Sequence, residues 1–278
     1  MKTFKNILLF IVLSGLSVNT FAQFTGGGSG DDNRQGGQKT VTKEKNSGLK
    51  NLDVFRKSNT YLRLGFSKPV GNFGSKPSSN VSSAKKIYDG KAGVGAKTGF
   101  TIEGGFISYF DEIPLAEQYK AGLDISFAYS HNTQDWSHWK NGWEDADYIP
   151  FLFFEAKIGP TFSYNVIGDL VVDGYFKLCP VLSYGGQVEL YDQDDFGNSS
   201  YYTLSGNGGV GIKKALGFNA KYNNMILGLE MNLGRINYNV SEEIDVYSSN
   251  NMDSYSDTNY FDGKTPTGTL RFTFGLAF

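Results

Sequence analysis

Cysteine is almost missing from this 278-residue chain: Cys179 is the only one, so no internal disulfide can form. It falls between Leu178 and Pro180 on an expected strand and reads as a small buried residue, not a site. Histidine is nearly as scarce, with His131 and His138 alone, and proline numbers only 7. Long apolar runs are also lacking. After the first 22 residues nothing approaches the roughly 20 apolar residues that a membrane-spanning helix needs, which excludes a helical membrane protein. Neither sign of charge is in excess, with 26 Lys and Arg against 28 Asp and Glu, and no nucleic-acid partner is expected. Mean hydropathy is -0.32, a value that alternating strands produce even when one of their faces is wholly apolar.

Glycine and aromatics are abundant: 35 Gly, 22 Phe and 17 Tyr point to one all-β domain. The clearest strand is the last. From Leu270 to Phe278 every even position is apolar, while Arg271 and Thr273 occupy the other face. One side of that strand suits lipid and the other does not, the pattern of a transmembrane antiparallel up-and-down β-barrel. The opposite end of the chain is consistent with export. Lys2 and Lys5, an apolar core from Ile7 to Leu16 and a Thr20-Phe21-Ala22 ending make residues 1–22 a secretory signal peptide, with no nearby cysteine to accept lipid. Residues 23–57, rich in Gly and Lys, are expected to be a disordered periplasmic leader, and residues 58–278 the barrel.

Eight alternating segments are expected as strands, at about 60–67, 95–110, 118–130, 149–164, 170–184, 203–220, 225–238 and 267–278. Their connections are alternately long and short, as in outer-membrane barrels with both mature termini in the periplasm. The outward set is Leu62, Leu64, Phe66; Phe100, Ile102, Phe106; Leu123, Ile125, Phe127; Phe154, Ile158, Phe162; Leu170, Val172, Phe176, Leu178; Ile212, Leu216, Phe218; Leu227, Leu229, Met231, Leu233; and the even positions of the last strand. Ten charges then fall inside: Arg63, Lys157, Lys177, Lys213 and Arg271 against Glu103, Asp124, Glu155, Asp173 and Glu230. An eight-stranded barrel is just wide enough for side chains to fill, so equal numbers of both signs imply a packed polar lumen and not a wide pore. Lys214 breaks the pattern by falling outward. It either snorkels to an interface or meets another protein, and snorkelling is the preferred reading. Pro160 and Pro180 are expected where a strand bends or bulges near a rim.

On these residues the chain resembles the small eight-stranded outer-membrane β-barrel proteins of Gram-negative bacteria, the porin-like or OmpA-like barrel domains. The likeness covers residues 58–278. It rests on Leu62-Arg63-Leu64-Gly65-Phe66-Ser67-Lys68-Pro69-Val70-Gly71-Asn72-Phe73-Gly74, on Lys157-Ile158-Gly159-Pro160-Thr161-Phe162-Ser163-Tyr164 and on the Phe-terminated last strand. The resemblance implies an outer-membrane location, contact with outer-membrane lipid and lipopolysaccharide, and recognition of Phe272, Phe274 and Phe278 by the barrel assembly machinery. The resemblance does not extend to the periplasmic domain that follows the barrel in full OmpA proteins, so peptidoglycan anchoring is not expected.

Outside the strands, Trp136, Trp139, Trp143, His131 and His138 gather in one expected extracellular loop with Asp135, Glu144, Asp145 and Asp147. The loop reads either as a surface recognition patch or as an interfacial aromatic belt. The two histidines and scattered acids lack metal-ligand spacing, and no cofactor is expected. Asp192, Asp194, Asp195, Gly197 and Asn198 only partly match a calcium loop, since Phe196 stands where an oxygen ligand belongs. Glu242, Glu243, Asp245, Asp253, Asp257 and Asp262 make the last loop acidic. The function expected is a structural or surface-binding barrel, not an enzyme, with an unknown extracellular ligand or protein partner. The alternatives are a small porin or ion channel and a lipid A-modifying enzyme built on Ser130 and His131. Adjacent strand residues point to opposite faces, which weighs against that pair.

Overall fold

Side-chain alternation needs a sheet with two unlike faces, and the chain supplies one. The computed structural model describes residue 55 and residues 59–76, 84–89, 91, 93–111, 113, 115–134, 149–185, 187–193, 199–247 and 255–278. All of them belong to one compact unit, Glu44–Phe278. Ten strands form a single antiparallel sheet: β1 Thr60–Pro69, β2 Gly99–Tyr109, β3 Tyr119–Gln134, β4 Ile149–Ile167, β5 Leu170–Gly185, β6 Gln187–Gln193, β7 Ser199–Tyr222, β8 Met225–Tyr247, β9 Tyr255–Pro266 and β10 Thr269–Ala277. A 3-10 turn, Gly71–Phe73, and the short helix α1, Ala84–Tyr88, lie between β1 and β2.

Eight of the strands close a ring in the order β1-β2-β3-β4-β5-β7-β8-β10, because β1 pairs with both β2 and β10 and β7 also pairs with β8. The remaining two are continuations. Ser183 of β5 faces Gly209 and Gln187 of β6 faces Ser205, so both keep one register along β7. Thr269 of β10 faces Asn232 and Pro266 of β9 faces Arg235, again without a shift along β8. Two barrel hairpins thus rise past the ring into a four-stranded extension, β6-β7-β8-β9, which corrects the loops that the sequence predicts at 185–202 and 239–266.

Registers also fix the geometry of closure. A hydrogen-bonded row leaves Thr60 and passes Phe106, Ile125, Ile158, Leu178, Lys214 and Leu233. Continued one residue past Thr269, it reaches Gly268, whose carbonyl accepts from Val70 at 2.9 Å. The circuit returns ten residues farther along β1, from 60 to 70, a shear of 10. With standard strand spacing this tilts the strands by about 40° and leaves roughly 16 Å between opposite backbones, enough for side chains and little else.

At the end carrying residues 60 and 278, two of the three ring connections are tight, and the third, between β2 and β3, takes residues 110–118. Gly168 and Asn223 both have positive φ, 54° and 52°, and each opens a two-residue turn, with Asp169 and Asn224 as the second residues. Such turns match the strand twist and require left-handed backbone that glycine and asparagine tolerate.

The two faces divide as the alternation demands. None of the outward residues named above is buried, and Phe66, Phe127 and Phe162 are more than 60% exposed. All ten inward charges are buried. A soluble lipid carrier would place these two sets the other way round. Pro160 and Pro180 correct an expectation: both are exposed on the outward face within β4 and β5, and neither marks a bulge. Register is unchanged across them, from Glu155 facing Val181 to Thr161 facing Tyr175; the one shift in that ladder lies between Asn165 and Ile167. Beside each proline the β4–β5 pairing lapses for two residues and then resumes.

Candidate functional site

All eight ring strands send a charge to the barrel axis. Arg63 comes from β1, Glu103 from β2, Asp124 from β3, Glu155 and Lys157 from β4, Lys177 from β5, Lys213 from β7, Glu230 from β8 and Arg271 from β10. Glu103 is one hub, 2.9 Å from Arg63 and 2.8 Å from Lys157, with Lys177 at 3.5 Å. Lys177 also meets Asp124 at 2.8 Å, whose other oxygen accepts from the Tyr61 hydroxyl at 2.8 Å. Glu155 is the second hub: Arg271 donates to its two oxygens at 2.7 and 2.8 Å, and Lys213 and Asn232 each reach it at 3.0 Å. Glu230 links the hubs, receiving Lys157, Arg63 at 3.6 Å, Arg271 at 3.3 Å and the Tyr175 hydroxyl at 3.0 Å.

Small residues make the space. A Cβ on Gly228 would come within 2.8 Å of Arg63 Nη1, and one on Gly217 within 2.5 Å of the Tyr175 hydroxyl. Aromatic faces cover the cations: Lys177 Nζ lies 4.7 Å from the Tyr175 ring centroid and Lys213 Nζ 3.9 Å from that of Phe153. Asp173 stands apart from the rest of the ten. It pairs at 3.0 Å with Lys221, a buried inward lysine that the sequence reading left out because its strand was ended at residue 220.

The charged layer lies between two apolar ones. Toward the chain ends, Tyr61, Ile107, Ile226 and Ala277 pack together with Tyr109. Toward the hairpins, Phe151, Phe153, Val181, Tyr202, Leu204, Ile236, Tyr238 and Val240 point inward and receive Phe73 and Tyr88 from the β1–β2 connection. Phe73 meets Phe151 and Phe153 edge-on at 5.7 and 5.9 Å, and Tyr88 meets Tyr238 at 5.9 Å. Hydrogen bonds hold this connection in the mouth: Thr265 Oγ1 donates to the Tyr88 carbonyl at 2.6 Å and Gln134 Nε2 to that of Val94 at 2.6 Å. Among the described residues the ion network thus lies between two groups of buried apolar side chains, with Arg63 Nε and Arg271 Nε left without a hydrogen-bond partner.

Ser130 and His131 do not meet. Ser130 is buried inside and donates to Thr101 Oγ1 at 2.9 Å, while His131 is half-exposed outside, edge-on to Phe100 at 5.4 Å. Phe272, Phe274 and Phe278 are exposed on the outer wall. Trp136, Trp139, Trp143 and His138 lie outside the described residues, as do Asp135 and the side chains of 186–198. Among the described residues no three His, Cys, Asp or Glu side chains gather to hold a metal ion. Cys179 is buried on the inward face.

Above the ring, Glu242 accepts from the Tyr202 hydroxyl within the hairpin extension. Burial, and then this bond, push the phenol well above its ordinary value near 10. A raised folded value means the contribution is whole below about pH 10 and fades as pH climbs beyond it. The fall in melting temperature between about pH 9 and 11 is therefore expected to be smaller in Tyr202→Phe than in the unaltered protein. Equal falls would remove this bond from any role in alkaline stability.

No protein-family model matches the chain, and no curated protein is similar to it.

Proposed function

We propose that the chain is an outer-membrane barrel with a closed lumen, whose rigid wall carries hairpins and loops to the cell surface for a structural or surface-binding role. The observation carrying this reading is the outer wall: a closed ring with Leu, Ile, Phe and Val exposed all round and acidic groups turned inward. On β7 the belt runs from Tyr222 to Ile212. Those eleven residues, ten steps tilted by about 40°, rise roughly 25 Å, the height of a hydrocarbon-facing band. Tyr119 and Tyr164, stacked at 4.7 Å, and exposed Tyr222 sit at its lower border, as interfacial aromatics do.

In water such a belt would be a very large apolar patch and an aggregation hazard. In a bilayer it needs no further cover. The lumen's closure favours a wall that presents loops over one that passes solutes.

Planar-bilayer conductance of the purified, refolded protein tests the closed lumen. No stable channels are expected at neutral pH. Large, reproducible openings would show the ion network to be hydrated and mobile, and would make transport the function.

A further inference from the structure

Inside the barrel the charges are of both signs; on the outer wall below the hairpin extension those described are of one. On the outward face of the ring strands below the hairpin extension, taking β8 as far as Arg235, the charged side chains among the described residues are Lys68, Lys214 and Arg235, all on the half nearer the hairpins. No described Asp or Glu shares that face below the extension; Glu243 and Asp245 come eight and ten residues beyond Arg235 on β8. Lys214 and Arg235 are exposed, and so is Lys264 where β9 continues the same surface.

Register puts these three on a diagonal. Lys214 faces Leu233, and Arg235 stands two residues farther up β8; Arg235 faces Pro266, and Lys264 stands two residues farther up β9. Diagonal neighbours lie about 7–8 Å apart, so the track is about 15 Å long. It begins within the apolar belt, beside Ile212, Leu216, Leu178 and Leu233, all exposed, and ends above it. None of the three cations has a described carboxylate partner. Asp262, two residues beyond Lys264, and Glu243 and Asp245 share the outer face above the track.

A lone lysine in a lipid-facing band is costly, by roughly 2–4 kcal/mol near the midplane. That cost falls when its ammonium reaches the headgroup level and finds an anion there. Lys214 can only do so upward, toward Arg235. A single phosphodiester would occupy one gap in the track, whereas three cations spread over about 15 Å match two phosphates held at the two ends of a disaccharide.

We infer that Lys214, Arg235 and Lys264 form a docking track for a bis-phosphorylated, acylated glycolipid, its acyl chains lying on Ile212, Leu216 and Leu233. The inference rests on the membrane reading above and names a lipid partner for that wall. Guanidinium and ammonium groups both form charge-assisted hydrogen bonds to phosphate, Arg in the bidentate form.

The test uses the full refolded chain. Flotation with phosphatidylcholine vesicles after an alkaline wash comes first, and then native mass spectrometry in detergent with bis-phosphorylated lipid A, its dephosphorylated form and phosphatidylglycerol. The unaltered protein is compared with Lys214→Gln/Arg235→Gln/Lys264→Gln and with a control of equal charge loss, Lys76→Gln/Lys85→Gln/Lys91→Gln. The track variant is expected to lose lipid A affinity about tenfold or more, and the control to keep it. Protein that floats but binds lipid A equally well in all three forms overturns the track and leaves the barrel reading standing. Equal retention of dephosphorylated lipid or of phosphatidylglycerol overturns the two-phosphate specificity. Failure to float overturns the membrane reading itself.

Discussion

Glu155→Ala is expected to destabilise the barrel by about 3–5 kcal/mol, the cost of leaving buried charges without their partner. The fully buried carboxylate receives Arg271 through both of its oxygens and Lys213 besides, and neither cation has water to turn to. Equilibrium urea unfolding of the refolded protein in detergent would report the loss as a lower midpoint. The companion variant Glu155→Met/Arg271→Met/Lys213→Met removes the group as a unit. It should regain most of the stability, since well-packed apolar residues often replace a buried ion cluster at little cost. A small effect of Glu155→Ala alone would mean that the lumen admits water to the charges. By contrast Lys91→Ala, at an exposed pair 3.7 Å from Asp89, should change stability by no more than about 0.5 kcal/mol.

Phe127→Arg separates a lipid-facing wall from a water-facing one. Phe127 is 61% exposed near the middle of the belt, with Gly104 and Ala156 as its cross-strand neighbours, so an arginine there meets no steric obstacle. On a water-exposed surface the change should be nearly neutral, within about 0.5 kcal/mol. In a bilayer an arginine at mid-depth costs roughly 2–4 kcal/mol. Unfolding in phospholipid vesicles is expected to show the larger figure, and Thr133→Arg, higher on the same face of β3, a markedly smaller one. Neutrality of Phe127→Arg in vesicles would sink the membrane reading.

The ring was legible because alternation there has a physical cause. Each ring strand separates an apolar outside from a polar inside, so Leu270 to Phe278 and the segment around Lys213 declare their faces in the sequence alone. The hairpin extension was not legible for the complementary reason. Glu243, Asp245, Asp262 and Lys264 line an outward face that has no apolar partner, so β6, β9 and the upper part of β8 lose the alternating signal and read as loops. Phe151 and Phe153 were within reach, since they share parity with Glu155 and Lys157 and so had to point inward. Phe73 and Tyr88 were not: they enter the barrel mouth from a connection with no periodicity, and only the cavity they fill explains them. Lys221 fell just past an expected strand end, two residues short of the turn at Asn223. The tryptophan-rich loop lies among residues the structure does not describe.

That every ring strand contributes to the ion network bears on how the barrel forms. Glu155 on β4 finds Arg271 only when β10 has arrived, and Arg63 finds Glu103 at the β1–β2 ladder while Glu230 must come from β8. A sheet stopped at seven strands would hold ionised side chains facing an unfilled gap, with no gain yet to offset their dehydration. The joining of β1 to β10, residues far apart in the chain, is then the slow and decisive event, and partial sheets should not accumulate as stable species. Zipping the last ladder and drying the lumen become a single step, so assembly is all-or-none even though the chain is made of simple hairpins.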